Sequence, residues 1–337
     1  MPVNIYDISR KAGVSTATVS RVLNNSPHVR EDTRRKVLAI IEESGYVPNA
    51  FARGLGMKTM KTIGLLCPNA SDPFLASALA ALEKAFRDQG YDCLLCCSGK
   101  KLSDRMEGVE KLANRHVDGM VLMGSGFMEE SDQDNDYIRQ TAQEVPVVLL
   151  NGALAGQNVY CVRCDDQQAS FDATKHLLDT GCRRILYLYH NLNYSGLRKL
   201  AGYRQALESC GLSVEEELMV RVGEEQESVH AVRDLLLGLE KDGLTFDAVY
   251  TSEDLLAVGA VKYAAAAGKK VPEDLSILGY NDSDLCVICE PELSSVDNKL
   301  PAICDHVVAT MMGVLEGRQM PQKTAFGGEV VLRASTK

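Results

Sequence analysis

The sequence has 337 residues, more than one hydrophobic core usually organises, and its 45% apolar content suits globular packing rather than a disordered or fibrous chain. No apolar run is long enough to span a bilayer, and the start, MPVNIYDISR, lacks the apolar segment of a secretory signal, so a cytoplasmic protein with no membrane partner is expected. The formal charge of −10 is unevenly spread: residues 1 to 61 hold ten Lys/Arg against five Asp/Glu, leaving 26 against 41 for the remainder, so a small basic head precedes a large acidic body.

The first readable stretch is residues 5 to 24, IYDISRKAGVSTATVSRVLN. Helical spacing puts Ile5, Ile8 and Ala12 on one face of a first helix, which Gly13 ends. Ser15 is placed to cap a second helix, with Val14 and Val19 as a hydrophobic staple across its start. On that helix Val19, Val22 and Leu23 share an apolar face. Thr16, Ala17, Ser20, Arg21 and Asn24 form the opposite one, which is small, polar and carries one arginine. Such a face suits a DNA major groove, where an arginine reaches the acceptors of guanine; an ordinary amphipathic helix pair is the alternative.

The stretch YDISRKAGVSTATVSRVLN resembles, nearly residue for residue, the helix-turn-helix of the LacI/GalR family of bacterial transcription regulators. The resemblance implies DNA contacts by Tyr6, Ser15, Thr16, Ala17, Thr18, Ser20, Arg21 and Asn24. SPHVREDTRRKVLAIIEESGY then reads as a loop and a third helix, with Val37, Ile40 and Ile41 inward and Gly45 as its stop. Arg34, Arg35 and Lys36 are either phosphate contacts or a solvated face. After Pro48, NAFARGLGMKTMKTIG matches the family's hinge helix. That match implies minor-groove contacts from Asn49, Ala52, Arg53 and Leu55, with Leu55 as the wedging leucine. Gly54 and Gly56 each cost a helix about 1 kcal/mol against alanine, so folding of the hinge is expected only on DNA.

From Thr62 onward, short apolar strands alternate with helices, the rhythm of parallel sheets buried on both faces. TIGLLCP, YDCLLCC, VDGMVLMG and VPVVLLN make a first set; NVYCVRCD opens a second that continues through RILYLYH, FDAVYTS and LSILGYN. LSSVDN and a helix near 300 to 316 are expected to return to the first lobe, and GGEVVLR to finish on the second. This resembles the family's two-lobed periplasmic-binding-protein-like core. The expected fold is therefore α/β: a three-helix head over 1–47, a hinge over 48–61 and a core over 62–337. Lobe 1 is expected over about 62–160 and 293–323, and lobe 2 over about 161–292 and 324–337.

Chemistry of other kinds finds little support. Gly124-Ser125-Gly126 follows a strand without a third glycine at dinucleotide-binding spacing, and no HExxH, P-loop or GxSxG pattern occurs, so neither enzyme nor cofactor is expected. Three CxxC spacings occur: Cys93/Cys96, Cys161/Cys164 and Cys286/Cys289. The first two lie in strands, where positions three apart point to opposite faces, so neither pair can chelate a metal; no metal site is expected. Cys286 and Cys289 follow the GYND turn and are the pair worth testing.

By resemblance, an effector binds between the lobes, at the C-terminal ends of the strands. The residues matched to that pocket are Ser71, Asp72, Phe74, Asn151, Lys199, Glu224, Glu253, Asn281 and Asp282. Lys199 stands where sugar- and purine-responsive relatives usually carry arginine, and Glu253 replaces a common asparagine. Many polar groups and one aromatic face favour a sugar-like effector over a purine. The whole reads as a dimeric repressor on a pseudo-palindromic operator; the alternatives are a ligand receptor or enzyme-like protein with a nonfunctional head, or a regulator governed by a protein co-effector.

Overall fold

The structure is a computed structural model that describes residues 3–23, 26–46, 59–223 and 228–337. Asn24, Asn49, Ala52, Arg53, Leu55 and Glu224 lie outside the described residues. The head contains α1 (Ile5–Ala12), α2 (Thr16–Leu23) and α3 (Glu31–Ser44). Asn4 caps α1 by accepting from the Tyr6 and Asp7 N–H groups, and Asp7 returns the favour to the Asn4 N–H, a capping box that satisfies otherwise orphaned donors. Gly13 ends α1 at φ 66°, a left-handed conformation that costs glycine nothing. The Ser15 hydroxyl accepts from the Thr18 N–H at 3.2 Å, the expected cap of α2. Ile8, Ala12, Val19, Val22 and Val37 form the buried centre, with Val14, Ile40 and Ile41 packed around them.

In the body, the first sheet is built from β1 (Thr62–Cys67), β2 (Asp92–Cys97), β3 (Gly119–Met123), β4 (Val147–Leu150), β5 (Val159–Cys164) and β11 (Lys323–Phe326). Their spatial order is β11-β5-β4-β3-β1-β2, all parallel. The second sheet holds β6 (Ile185–Tyr189), β7 (Met219–Arg221), β8 (Ala248–Thr251), β9 (Ser276–Tyr280), β10 (Ser294–Asp297) and β12 (Glu329–Val331), ordered β12-β10-β9-β8-β6-β7. Only β12 runs antiparallel to its neighbour there.

The helices of the first lobe are α4 (Pro73–Asp88), α5 (Leu102–Ala113), α6 (Asp136–Thr141) and, late in the chain, α12 (Leu300–Leu315). The second lobe carries α7 (Asp166–Asp179), α8 (Tyr194–Ser209), α9 (Val229–Lys241), α10 (Asp254–Ala266) and the single turn α11 (Leu285–Ile288). Burial of the central strands on both faces explains their continuous apolar runs: Leu65 and Val121 pack with α4 and α12, while Leu66 and Leu122 pack with α5 and α6. The same alternation separates the strand cysteines. Cys93 and Cys164 join one face of the first sheet, Cys96 and Cys161 the other.

The lobe boundaries differ from expectation in three places. NVYCVRCD does not open the second sheet: Val147 pairs with Val159 and Leu150 with Val162, so β5 belongs to the first. Parallel neighbours normally need a long crossover, and the helix-free link over 151–158 therefore reads in sequence like a change of sheet. LSSVDN does not return to the first lobe either, because β10 pairs with β9 and β12. The first lobe instead keeps β11 to Phe326, beyond the expected limit of 323. The chain thus crosses between lobes after β5, after β10 and between β11 and β12.

Helices α7 and α8 pack closely where Gly202 allows it. A Cβ at Gly202 would overlap the Gln167 carbonyl oxygen and come within 2.8 Å of the Phe171 amide nitrogen. Helix propensity alone favours Gly202→Ala by about 1 kcal/mol, yet the clash is with backbone, which cannot rotate away. Gly202→Ala should therefore destabilise by about 1–3 kcal/mol, read as a lower urea midpoint of unfolding; an unchanged or higher midpoint would show that the helices separate at no cost.

Candidate functional site

Two regions gather the residues singled out in the sequence. In the head, Tyr6, Ser15, Ala17 and Arg21 are exposed, Tyr6 by 67%, and Thr16, Thr18 and Ser20 are partly so. The buried side of α2 is fixed by Val19 and Val22, which turns Ala17, Ser20 and Arg21 outward. Thr18 is committed locally, its hydroxyl 2.9 Å from that of Ser15. Arg34 donates to the Ser26 carbonyl at 2.6 Å and Arg35 pairs with Asp32 at 3.0 Å, so these two arginines brace the loop and helix of α3.

In the body, the C-terminal strand ends of both sheets converge on a cleft. From the first lobe come Ser71, Asp72 and Phe74 after β1 and Asn151 after β4; from the second come His190 after β6, Glu253 after β8 and Asn281 after β9. Asp72 caps α4 through the Leu75 N–H at 3.0 Å, and its carboxyl is pushed above the usual carboxylate range by burial and by Glu253. His190 acts on it in the opposite sense. Since Asp72 belongs to the first lobe and the other two to the second, this mutual influence runs across the cleft. His190 Nε2 lies 2.7 Å from Glu253 Oε1. Ser71 is exposed and bonds Asn69 at 2.8 Å.

Several matched residues are engaged inside the protein. Asn151, at φ 66°, accepts from the Cys164 N–H at 3.4 Å. Asn281 accepts from Asn298 at 2.9 Å, and Asp282 accepts from Arg333 at 2.6 Å. Lys199 is buried: its ammonium donates to the Ser252 carbonyl at 2.8 Å and lies 3.6 Å from the centre of the Tyr280 ring. Burial holds that ammonium below the usual lysine range, with Asp166 and Glu253 pulling the other way. Tyr280 in turn donates to Asp166 at 2.7 Å, and Ser195 donates to the same carboxylate at 2.7 Å.

The sequence reading missed His190, Asp166 and the ion pair of Arg198 with Asp165 at 3.1 Å. A usable signal for His190, Asp165 and Asp166 was their position at the ends of strands, where such sheets bind ligands; Arg198, within α8, gave none. Cys286 is buried under Asp254, and Cys289 is half-buried; no thiol-to-thiol contact joins them. A surface depression of about 540 Å³ lined by Gln143, Gln157, Asn158 and Gln322 lies at the opposite, N-terminal ends of β4 and β5. Among the described residues no group of three or more His, Cys, Asp or Glu could hold a metal, and no helix is long and apolar enough to cross a membrane.

Residues 4–49 match the family described as bacterial regulatory proteins, lacI family, and residues 174–336 match a periplasmic binding protein-like domain. An HTH-type transcriptional regulator of Lachnoclostridium phytofermentans is 46% identical over 334 residues, covering 99% of this chain and 99% of that protein. Among solved structures, the Lac repressor dimer bound to operator and the anti-inducer ONPF has a TM-score of 0.84 at 22% identity, covering 100% of this chain and 99% of that one, a likeness of fold. The transcriptional regulator CelR in complex with cellobiose has a TM-score of 0.71 at 26% identity, with 99% of each chain covered.

Because folding lowers the pKa of Lys199, the unfolded chain keeps this proton to higher pH, near 10.5, than the folded chain does. Unfolding free energy then rises with pH through that window, since the unfolded state binds more protons there. The stability of the protein relative to Lys199→Met should therefore increase as pH climbs from neutrality toward 10.5. Urea midpoints of both proteins at the two ends of the range check this; a constant difference would mean that the ammonium is not desolvated.

Proposed function

The chain belongs to the lacI family of bacterial regulatory proteins, a transcription regulator rather than an enzyme, and on that premise we propose that it is a dimeric repressor whose heads read a pseudo-palindromic operator under control of a saccharide in the interlobe cleft. The observation that carries the DNA reading is the outer face of α2. A short helix pinned by Val19 and Val22 presents Ala17, Ser20 and an exposed Arg21 on a net-positive head, which fits a helix laid in the major groove with arginine toward guanine. Tyr6, Ser15, Thr16 and Thr18 flank it and are assigned to backbone and edge contacts. Asn24 at the end of α2, and Asn49, Ala52, Arg53 and Leu55 in the hinge, complete the proposed interface, with Leu55 as the minor-groove wedge. Such a protein works in the cytoplasm, where the DNA is.

The domain division we propose is a head to residue 47, a hinge over 48–61 and the two-lobed body from 62. A second copy suits exposed apolar groups on each lobe: Leu94 and Leu95 on edge strand β2, and Val287 and Ile288 on α11, the last 76% exposed. An unpaired, flat apolar strand edge is otherwise an aggregation hazard.

For the effector, Ser71, Asp72, Phe74, Asn151, Glu224, Glu253 and Asn281 are assigned to the cleft wall, joined by His190. Lys199 and Asp282 are assigned to the layer beneath, holding the wall through Ser252 and Arg333. Hydroxyls find many fixed partners there, whereas a planar base would find one aromatic face; the bound cellobiose of CelR supports the same class. A ligand that spans Asp72 and Glu253 joins one lobe to the other, so its preference for one lobe arrangement changes the spacing of the heads.

Arg21→Ala should cost about 1–3 kcal/mol of binding to DNA flanking the protein's own gene and relax preference at one base pair per half-site. Gel shifts with single-base operator variants measure it; an equal loss on all sequences would reduce Arg21 to a phosphate contact. For the cleft, a thermal-shift panel of sugars, sugar phosphates, nucleosides and amines should yield a sugar hit, with about 2.7 kcal/mol of added stability at roughly 100 times its dissociation constant. Glu253→Ala should abolish the shift, and a nucleoside-only hit would overturn the saccharide assignment.

A further inference from the structure

The lip of the cleft carries a pair of thiols that the CxxC spacings do not reveal. Strands β1 and β2 are parallel neighbours in the register Cys67↔Cys97, so both cysteines end their strands and point to the same face. Their sulfur atoms are 3.9 Å apart. Neighbouring strands lie about 4.8 Å apart, within the roughly 4.4–6.8 Å span of Cα atoms that a disulfide bridges. The two ends are held side by side by the Ser98 N–H donating to the Cys67 carbonyl at 3.0 Å and the Gly99 N–H to the Pro68 carbonyl at 2.9 Å. Among the described residues no other two cysteine thiols are joined by a hydrogen bond.

The two thiols differ in access. Cys97 is exposed, while Cys67 is buried in the core face of the first sheet together with Leu75 and Met123. Burial first, and then the neighbouring Cys97, push the Cys67 thiol up to about 12, so it stays protonated. A small oxidant therefore meets Cys97, and Cys67 waits in contact behind it.

We propose that Cys67 and Cys97 form a peroxide-oxidised modification site, a reversible disulfide that clamps the first-lobe lip of the effector cleft. Written out, the Cys97 thiol reacts with hydrogen peroxide to give a sulfenic acid and one water. The Cys67 sulfur then attacks the Cys97 sulfur as its proton passes to the departing hydroxyl: the S–O bond breaks, the S–S bond forms and a second water leaves, so two thiol hydrogens and two electrons pass to the peroxide. Because Cys97 is exposed, a bridge there is open to dithiols, the accessible class that is reduced readily, so it serves as a switch rather than a staple. The chain leaves β1 directly into the segment holding Ser71 and Asp72, and it leaves β2 through residues 98–101, so the bridge fixes the relative position of two segments at the cleft mouth.

The test treats the full-length protein with hydrogen peroxide, removes it with catalase, alkylates all remaining thiols under denaturing conditions and maps them by mass spectrometry. The result expected is joint loss of alkylation at Cys67 and Cys97, a disulfide-linked pair of peptides, an unchanged monomer band on a non-reducing gel and full recovery of both thiols with dithiothreitol. Exposed Cys210, which hydrogen-bonds no other cysteine among the described residues, serves as the internal reference and should not be consumed together with them. Cys97→Ser, at an exposed position that leaves the core intact, should keep Cys67 fully alkylated after peroxide. The proposal is overturned by sulfinic acid at Cys97 with Cys67 still alkylated, by a covalent dimer through Cys97, by loss of Cys67 that persists in Cys97→Ser, or by no oxidation of either residue.

Discussion

A buried charge cluster at the base of the second lobe fixes much of the geometry around it. The Asp166 carboxylate, at the start of α7, accepts from Ser195 on α8 and from Tyr280 at the end of β9, and the ring of Tyr280 carries the Lys199 ammonium of α8 on its face. Each buried charge is satisfied through groups on a different element, Asp166 through Ser195 and Tyr280 and Lys199 through the Ser252 carbonyl and the Tyr280 ring, so the four residues hold one arrangement together. Asp166 directly follows the first crossing between lobes, and Gly202 lets α7 and α8 approach one turn beyond Lys199. Crossing, helix packing and cleft floor are therefore one mechanical unit.

That unit sets the chemistry of the cleft. With Lys199 turned inward to the Ser252 carbonyl, the nearest cation in the floor is spent on the protein itself. What faces the opening is acidic: Glu253 held by His190 on one lobe, and Asp72 on the other, its proton affinity raised by burial and by Glu253. The repulsion between the two carboxylates across the cleft is offset by His190, which pairs with Glu253 and lowers the proton affinity of Asp72. The two carboxylates that act on one another across the cleft, Asp72 and Glu253, stand about 180 positions apart in the chain.

The head solves a different problem. Its core, among the described residues, is five buried apolar side chains, too few to be wasteful with orphaned polar groups, and the Asn4–Asp7 box and the Gly13 turn finish α1 while the Ser15 cap starts α2. The Gly13 turn and the Ser15 cap set the angle of α2 relative to α1, and with it the direction in which α2 turns Arg21 outward.

These local devices explain why the sequence alone determined the head. Capping, periodicity and a single glycine act over three or four residues, and the residues that carry them stand side by side in the chain; the alternating βα rhythm and the opposite faces of Cys93 and Cys96 were legible for the same reason. What only the tertiary structure decided depends on which strands become neighbours. The membership of β5 in the first sheet and of β10 in the second, the inward turn of Lys199, the pairing of Asp282 with Arg333 and the meeting of Cys67 with Cys97 all follow from strand order. Strand order arises from burying two-faced sheets under helices that pack many residues away, and no window of sequence contains that competition.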